Sequence, residues 1–97
     1  MEEKAASQPL PHGYFPVRIT LATGLANRFI SEARQQHPIA VIQPPYPVDD
    51  RCETAVIATT FHNKELLRVA FNIFAADMET KHGIKMKCLM ESATEFM

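Results

Sequence analysis

Hydrophobic and polar residues follow two different periods along this chain, and the shorter period predicts four strands. From residue 15 to residue 21, apolar side chains occupy every second position, which is the period of a half-buried strand. Residues 39–42 and 54–61 are rich in β-branched side chains and predict the second and third strands. A further alternation over residues 84–90 predicts the fourth strand.

The longer period predicts two amphipathic helices. Apolar residues recur three and four positions apart over residues 25–33, so we expect a helix with one apolar face and with Thr23 as its N-cap. This helix should end before Pro38, because a residue that precedes proline disfavours the helical conformation. A longer helix should cover residues 62–81, since Gly83 then follows two basic residues, as is common at a helix C-terminus.

The predicted element order is βαββαβ, which resembles the ferredoxin-like split βαβ arrangement. That resemblance implies an α+β fold with a four-stranded antiparallel sheet and two helices on one face. We expect a single domain over residues 14–91, a flexible N-terminal arm over residues 1–13 and a frayed C-terminus over residues 92–97. Residues 43–52 contain three prolines and should form a stiff loop. The arrangement hosts unrelated functions, so it does not by itself indicate one.

Composition limits the chain to one core and gives no sign of a charged partner. With 97 residues, of which 46% are hydrophobic and 22% charged, the chain can build a single core. The net charge is -1 and the aromatic run of RNA-binding strands is missing, so nucleic acid binding is not expected. No segment has the ~18 apolar residues of a membrane span, and the first ten residues do not resemble a secretory signal. We therefore expect a cytoplasmic protein in which Cys52 and Cys88 are reduced thiols.

Two places in the sequence carry candidate chemistry, and each also has a purely structural interpretation. Asp49 and Asp50 could bind a divalent cation or act in acid–base catalysis, although both are also ordinary turn residues. Thr23 and Gly24 lie between the first strand and the first helix, where free backbone amides could bind a small ligand. The histidines and cysteines show no metal-binding spacing, so we predict no metal, no cofactor and no catalytic residue.

The second helix carries more apolar surface than it needs to cover a sheet. One apolar stripe is enough for that purpose, and a second stripe lies beside it. The second stripe could pack against the first helix, or it could bind another protein. The third and fourth strands also place apolar residues on both faces of the sheet, so one face should stay partly apolar unless a partner covers it. The candidate interface residues are Leu66, Val69, Ile73, Val56, Ile57 and Leu89.

These patterns favour a non-enzymatic intracellular protein that binds another protein and forms a homodimer. A small-ligand sensor, with its ligand near Thr23 and Gly24, is the alternative from a different class. A small enzyme that uses residues 49–53 is a third hypothesis. A preformed pocket beside Thr23 would distinguish the sensor from the interaction module.

Overall fold

A computed structural model describes residues 9–83 and 88–97 and contains four strands and two helices. The elements in chain order are β1 (Tyr14–Ala22), α1 (Leu25–Ala33), β2 (Ala40–Pro47), β3 (Cys52–Thr60), α2 (Lys64–His82) and β4 (Leu89–Ser92). Short 3-10 turns, Phe61–Asn63 and Thr94–Phe96, precede α2 and follow β4. The chain therefore belongs to the α+β class, as the sequence predicts.

The four strands form one antiparallel sheet in the order β2-β3-β1-β4. β1 and β3 pair over their full length, from Tyr14 opposite Thr60 to Ala22 opposite Cys52. β2 and β4 are the edge strands, and β4 pairs with the middle of β1 through its 4 residues. β1 and β3 are therefore central, and their side chains determine what each face of the sheet must bury.

Both helices pack on one face of the sheet. The ring of Phe29 in α1 meets the rings of Phe71 and Phe74 in α2 at centroid distances of 5.2 and 5.5 Å, in edge-to-face geometry. These three rings join the helices to each other above the sheet. The buried cluster on this face consists of Val17, Ile19, Leu21, Ala26, Phe29, Ile30, Ala33, Ala55, Ile57, Leu67, Phe71, Phe74 and Met78.

The opposite face of the sheet is covered by segments close to the two ends of the chain. Ala93 is fully buried there, and the side chain of Phe96 packs beside it. From the other end of the chain, Leu10 and Tyr14 pack against the same cluster. The buried residues of this second cluster are Ile42, Val56, Ala58 and Ala93. The expectation that a partner must cover this face is therefore wrong, because the chain covers it itself.

The C-terminal residues 92–97, which the sequence predicts to fray, contact β1 through Ala93 and Glu95. The backbone amide of Ala93 donates a 3.1 Å hydrogen bond to the carbonyl of Pro16. Arg18 of β1 lies on the same face and forms ion pairs with Glu91, at 3.7 Å, and with Glu95. The Arg18 side chain is mostly buried, so these pairs are screened less by water than pairs on an open surface.

Two of the predicted segments lie partly outside the residues that the structure describes. The predicted fourth strand, residues 84–90, appears as β4 from Leu89 onward, and residues 84–87 lie outside the described residues. Residues 1–8 of the predicted arm also lie outside them.

β2 extends through Pro47, although the prolines of this segment predict a loop. Its pairing with β3 is irregular, with register shifts between Val41 and Tyr46. Proline is tolerated because β2 is an edge strand, where a missing amide proton can face away from the neighbouring strand. The prediction of a loop over residues 43–52 is therefore wrong up to Pro47, and the turn is confined to residues 48–51.

Replacing Phe96 with alanine tests the role of the C-terminal segment as part of the core. We expect Phe96→Ala to lower the free energy of unfolding by roughly 1–2 kcal/mol, because the ring is only partly buried. Met97→Ala is the matched control, since Met97 is 71% exposed, and it should change stability by less than ~0.5 kcal/mol. Urea denaturation of the two variants measures both values. Equal losses for both variants would show that the segment does not stabilise the sheet.

Candidate functional site

The outward face of α2 exposes a row of large apolar side chains. Leu66, Val69 and Ile73 are 57%, 52% and 63% exposed, and Ala76 continues the row. We call these four residues the α2 stripe. Residues of an α-helix turn by ~100° per position, which places the stripe on the side opposite the buried face. The residues that α2 buries are Leu67, Phe71, Phe74 and Met78.

Within residues 9–83 and 88–97, the α2 stripe is left largely exposed. α1 meets α2 through Phe29, which contacts Phe71 and Phe74 on the inner side of the helix pair. More than half of the surface of Leu66 and of Ile73 stays exposed beside that contact. The interpretation that the second stripe packs against the first helix is therefore wrong, because α1 leaves the stripe exposed.

A groove of about 300 Å³ lies beside the α2 stripe, between α1 and α2. Ile73 belongs to both the groove and the stripe, so the two form one continuous surface. At one end, Nδ1 of His37 lies 3.2 Å from Oδ1 of Asn63, whose Nδ2 donates to Oγ1 of Thr60 at 2.7 Å. These bonds tie the chain after α1 to the start of α2. The groove is lined by Phe29, Glu32, Ala33, Gln36, His37, Ala70, Ile73, Phe74 and Asp77.

The structure does not bring all of the predicted interface residues together. Val56 and Ile57 are fully buried on opposite faces of β3, so they offer no surface to a partner. Leu89 is 47% exposed, but its neighbour Met90 packs in the cluster under the helices. Because successive strand residues point to opposite faces, Leu89 points away from α2. The α2 stripe and Leu89 are therefore separate surfaces.

The candidate ligand residues Thr23 and Gly24 lie at an exposed turn, where α1 already receives a carboxylate from its own chain. Oε2 of Glu53 accepts a 2.9 Å hydrogen bond from the backbone amide of Ala26, in the first turn of α1. Gly24 occupies the N-cap position with φ of 92°. Thr23, the predicted N-cap, instead donates its backbone amide to the carbonyl of Arg51 at 2.9 Å.

Glu53 changes what the start of α1 can bind. A helix N-terminus attracts anions because its free amides and dipole are positive, and the Glu53 carboxylate now supplies that negative charge. A second anion would be repelled by it. Neither Thr23 nor Gly24 lines the groove between the helices. The alternation of β3 gives a signal for this role, because it places Glu53 on the same face as Ala55 and Ile57, towards α1.

Asp49 acts as a turn residue in the loop between β2 and β3. Its Oδ1 accepts hydrogen bonds from the backbone amides of Arg51, at 2.7 Å, and Cys52, at 2.8 Å. These two bonds lower the pKa of the Asp49 carboxyl below its ordinary value, and the nearby charge of Arg51 lowers it further. Asp50 is exposed beside it. The loop therefore uses Asp49 to close the turn, which is the structural interpretation of this acidic pair.

Cys52 and Cys88 are both free thiols, as predicted. Burial raises the pKa of the Cys88 thiol, and the neighbouring Cys52 and Glu79 raise it further. Less of the reactive thiolate is then present at neutral pH than at an ordinary cysteine.

No family model, curated protein or solved structure matches the chain. Within residues 9–83 and 88–97, no three histidine, cysteine or acidic side chains come together in a way that could hold a metal ion. None of the helices described in the structure has both the length and the apolar character to cross a membrane.

Substitution of Glu53 tests its role as the internal cap of α1. We expect Glu53→Ala to lower the free energy of unfolding by ~1–3 kcal/mol, because the Ala26 amide is left buried without its acceptor. Glu53→Gln keeps an acceptor oxygen and should lose less. Asp50→Ala, at an exposed carboxylate, is the control. Urea denaturation compares the three variants, and a Glu53→Ala loss no larger than the control would contradict the capping role.

Asp49 should give the protein a contribution to stability that depends on pH. Because its pKa is lower in the folded chain than in the unfolded chain, this contribution is present above the unfolded pKa and is lost as the pH falls through the folded pKa. We expect an NMR titration to place the pKa of Asp49 below 3.8. The difference in the free energy of unfolding between the wild type and Asp49→Asn should shrink as the pH falls through the pKa of Asp49 in the folded chain. A pKa at or above 3.8, or a difference that grows in acid, would contradict the turn geometry.

Proposed function

We propose that this chain is a protein-interaction module that forms a homodimer and uses the outward face of its helix pair as the binding surface. The observation that carries the proposal is the α2 stripe, three large apolar side chains that are each more than half exposed in one row. Exposed apolar groups that are contiguous mark association sites more often than isolated ones do. The adjoining groove extends the same surface towards α1.

The connectivity of the sheet supports a ferredoxin-like assignment for this module. The helices α1 and α2 follow β1 and β3, the two central strands, and every pair of neighbouring strands is antiparallel. In such an arrangement both crossover helices lie in one layer, and their outward faces form one side of the molecule. This layer is where the α2 stripe lies.

The enzyme hypothesis is weakened by the structural tasks that its candidate residues already perform. Asp49 closes the turn through two backbone hydrogen bonds, and Glu53 caps α1. A carboxylate whose lone pairs are used by backbone amides is a poorer base and a poorer metal ligand than a free one. The same Glu53 carboxylate occupies the start of α1 beside Thr23 and Gly24, where the sensor hypothesis places its small ligand.

Sedimentation equilibrium tests self-association through the α2 stripe. We expect the wild type to form dimers at micromolar concentration and Val69→Lys to weaken the dimer by at least tenfold, because a charge then replaces an apolar contact. Val48→Lys is a closely matched control, since Val48 is also 52% exposed but lies in the loop after β2. Both residues are exposed, so both variants should stay folded.

Two results would contradict the proposal. A wild type that remains monomeric at the concentrations used would remove the homodimer. Equal weakening by Val69→Lys and Val48→Lys would show that the dimer does not use the α2 stripe.

A further inference from the structure

The spacing of the α2 stripe indicates the shape of its partner. Leu66, Val69, Ile73 and Ala76 follow one another at steps of three, four and three residues, and Thr80 continues the pattern four residues later. This is the seven-residue repeat of a coiled-coil seam, in which two apolar positions per repeat face a second helix. The seam runs along α2 opposite its buried face. A surface of this form fits a helix rather than a strand or a flat sheet.

Charge is distributed unequally along α2. Its first two turns contain Lys64 and Arg68 with one acid, Glu65, whereas its last turns contain Asp77 and Glu79 with one lysine, Lys81. The first half is therefore positive and the second half negative. Two copies of the helix attract each other when they run in opposite directions, because each positive half then faces a negative half.

Arg68 and Glu79 carry charges of opposite sign on one flank of α2. Arg68 lines a small cleft with Met90 and Glu91 of β4, and the charge of Glu79 acts on Cys88 just before β4, so both lie on the flank of α2 that faces this strand. Arg68 has an exposed partner in its own chain, Glu65, at 3.5 Å. Within the described residues, Glu79 makes no ion pair, so its negative charge is not neutralised by a neighbouring side chain there.

We infer that the occupant of the α2 stripe is α2 of a second copy, packed antiparallel about a two-fold axis that crosses the stripe midway between Val69 and Ile73. Val69 of one copy then lies against Ile73 of the other, and Leu66 lies against Ala76. Arg68 of each copy lies on the same flank as Glu79 of the other. The two-fold axis makes every one of these contacts occur twice. This inference rests on the proposed homodimer and adds its geometry.

The size of this contact limits how tight the dimer can be. The seam from Leu66 to Thr80 is about 21 Å long at ~1.5 Å per residue. A pair of helices in contact over that length buries an area near the lower end of specific interfaces, roughly 1,000 Å² in total. We therefore expect a dissociation constant in the micromolar range, which weak pairs of this size typically show.

Cysteine cross-linking distinguishes an antiparallel seam from a parallel one. Cys52→Ser and Cys88→Ala first remove the native thiols, and sedimentation confirms that this background still dimerises. Leu66→Cys and Ala76→Cys are then introduced separately, and the two chains are oxidised alone and as a mixture. In the antiparallel pair, two copies of residue 76 are about 15 Å apart along the helix, whereas residues 66 and 76 of different copies face each other. A disulfide needs Cα atoms within ~7 Å.

We expect the mixture to form a disulfide between the two kinds of chain at a yield at least tenfold above that of either variant alone. Efficient cross-linking of Ala76→Cys with itself would show a parallel seam and overturn the inference, while the proposed homodimer would stand. Dimers that give no cross-link in any combination would place the interface away from the α2 stripe and overturn the inference as well. A wild type that does not dimerise would overturn both.

Discussion

The burial of β3 on both faces is the constraint on which the rest of the structure depends. Every residue from Glu53 to Thr59 is buried, so neither side of this strand can face water. Ile57 requires cover on one face and Val56 requires it on the other. Two helices cover the first face, and the chain near its two ends covers the second. A sheet this small is thereby enclosed on both sides without a partner.

The packing of α1 and α2 on the first face of the sheet explains why α2 has an exposed apolar surface. Phe29 reaches across from α1 and fills the space beside Phe71 and Phe74, which completes the inner side of the helix pair. α1 lies beside α2 on the same face of the sheet, so it cannot shield the outward side of α2. Within the part of the chain that the structure describes, the exposed apolar row on α2 then packs against no other element. A function that uses this row is the simplest reason for its presence, because exposed apolar side chains of this size favour aggregation if nothing binds them.

Sequence periodicity predicted the elements that repeat and missed the contacts that do not. The alternation of β1 and the two stripes of α2 are regular, and both appear in the structure as predicted. The cover of the second face by Phe96 could not be predicted from a period, because it depends on a single turn near the chain end. The prolines of β2 were misleading because their effect depends on whether the strand lies at an edge, which only the strand order reveals.

The candidate site shows the same division between regular and isolated signals. The α2 stripe is a repeat, and its exposed members Leu66, Val69 and Ile73 were all found from the sequence. Val56 and Ile57 were predicted as interface residues, but they lie in a strand that is buried on both faces. In the sequence, Glu53 belongs to a polar cluster with Asp49. β-strand alternation places Glu53 on the face towards the helices, but no local pattern shows that the start of α1 lies beside it.

The edges of the sheet support the proposed association through helices over association through strands. The edge strand β2 contains Pro44, Pro45 and Pro47, which lack the amide proton that a pairing strand needs. The outer edge of β4 is only 4 residues long, so it offers few backbone hydrogen bonds to another chain. Both edges therefore resist strand addition, in the manner by which small sheets avoid aggregation.

The helix layer has no such protection, and its apolar row is bordered by charges of opposite sign at its two ends. A surface of that kind attracts a partner in one orientation and repels it in the other, which gives specificity that an apolar patch alone does not have.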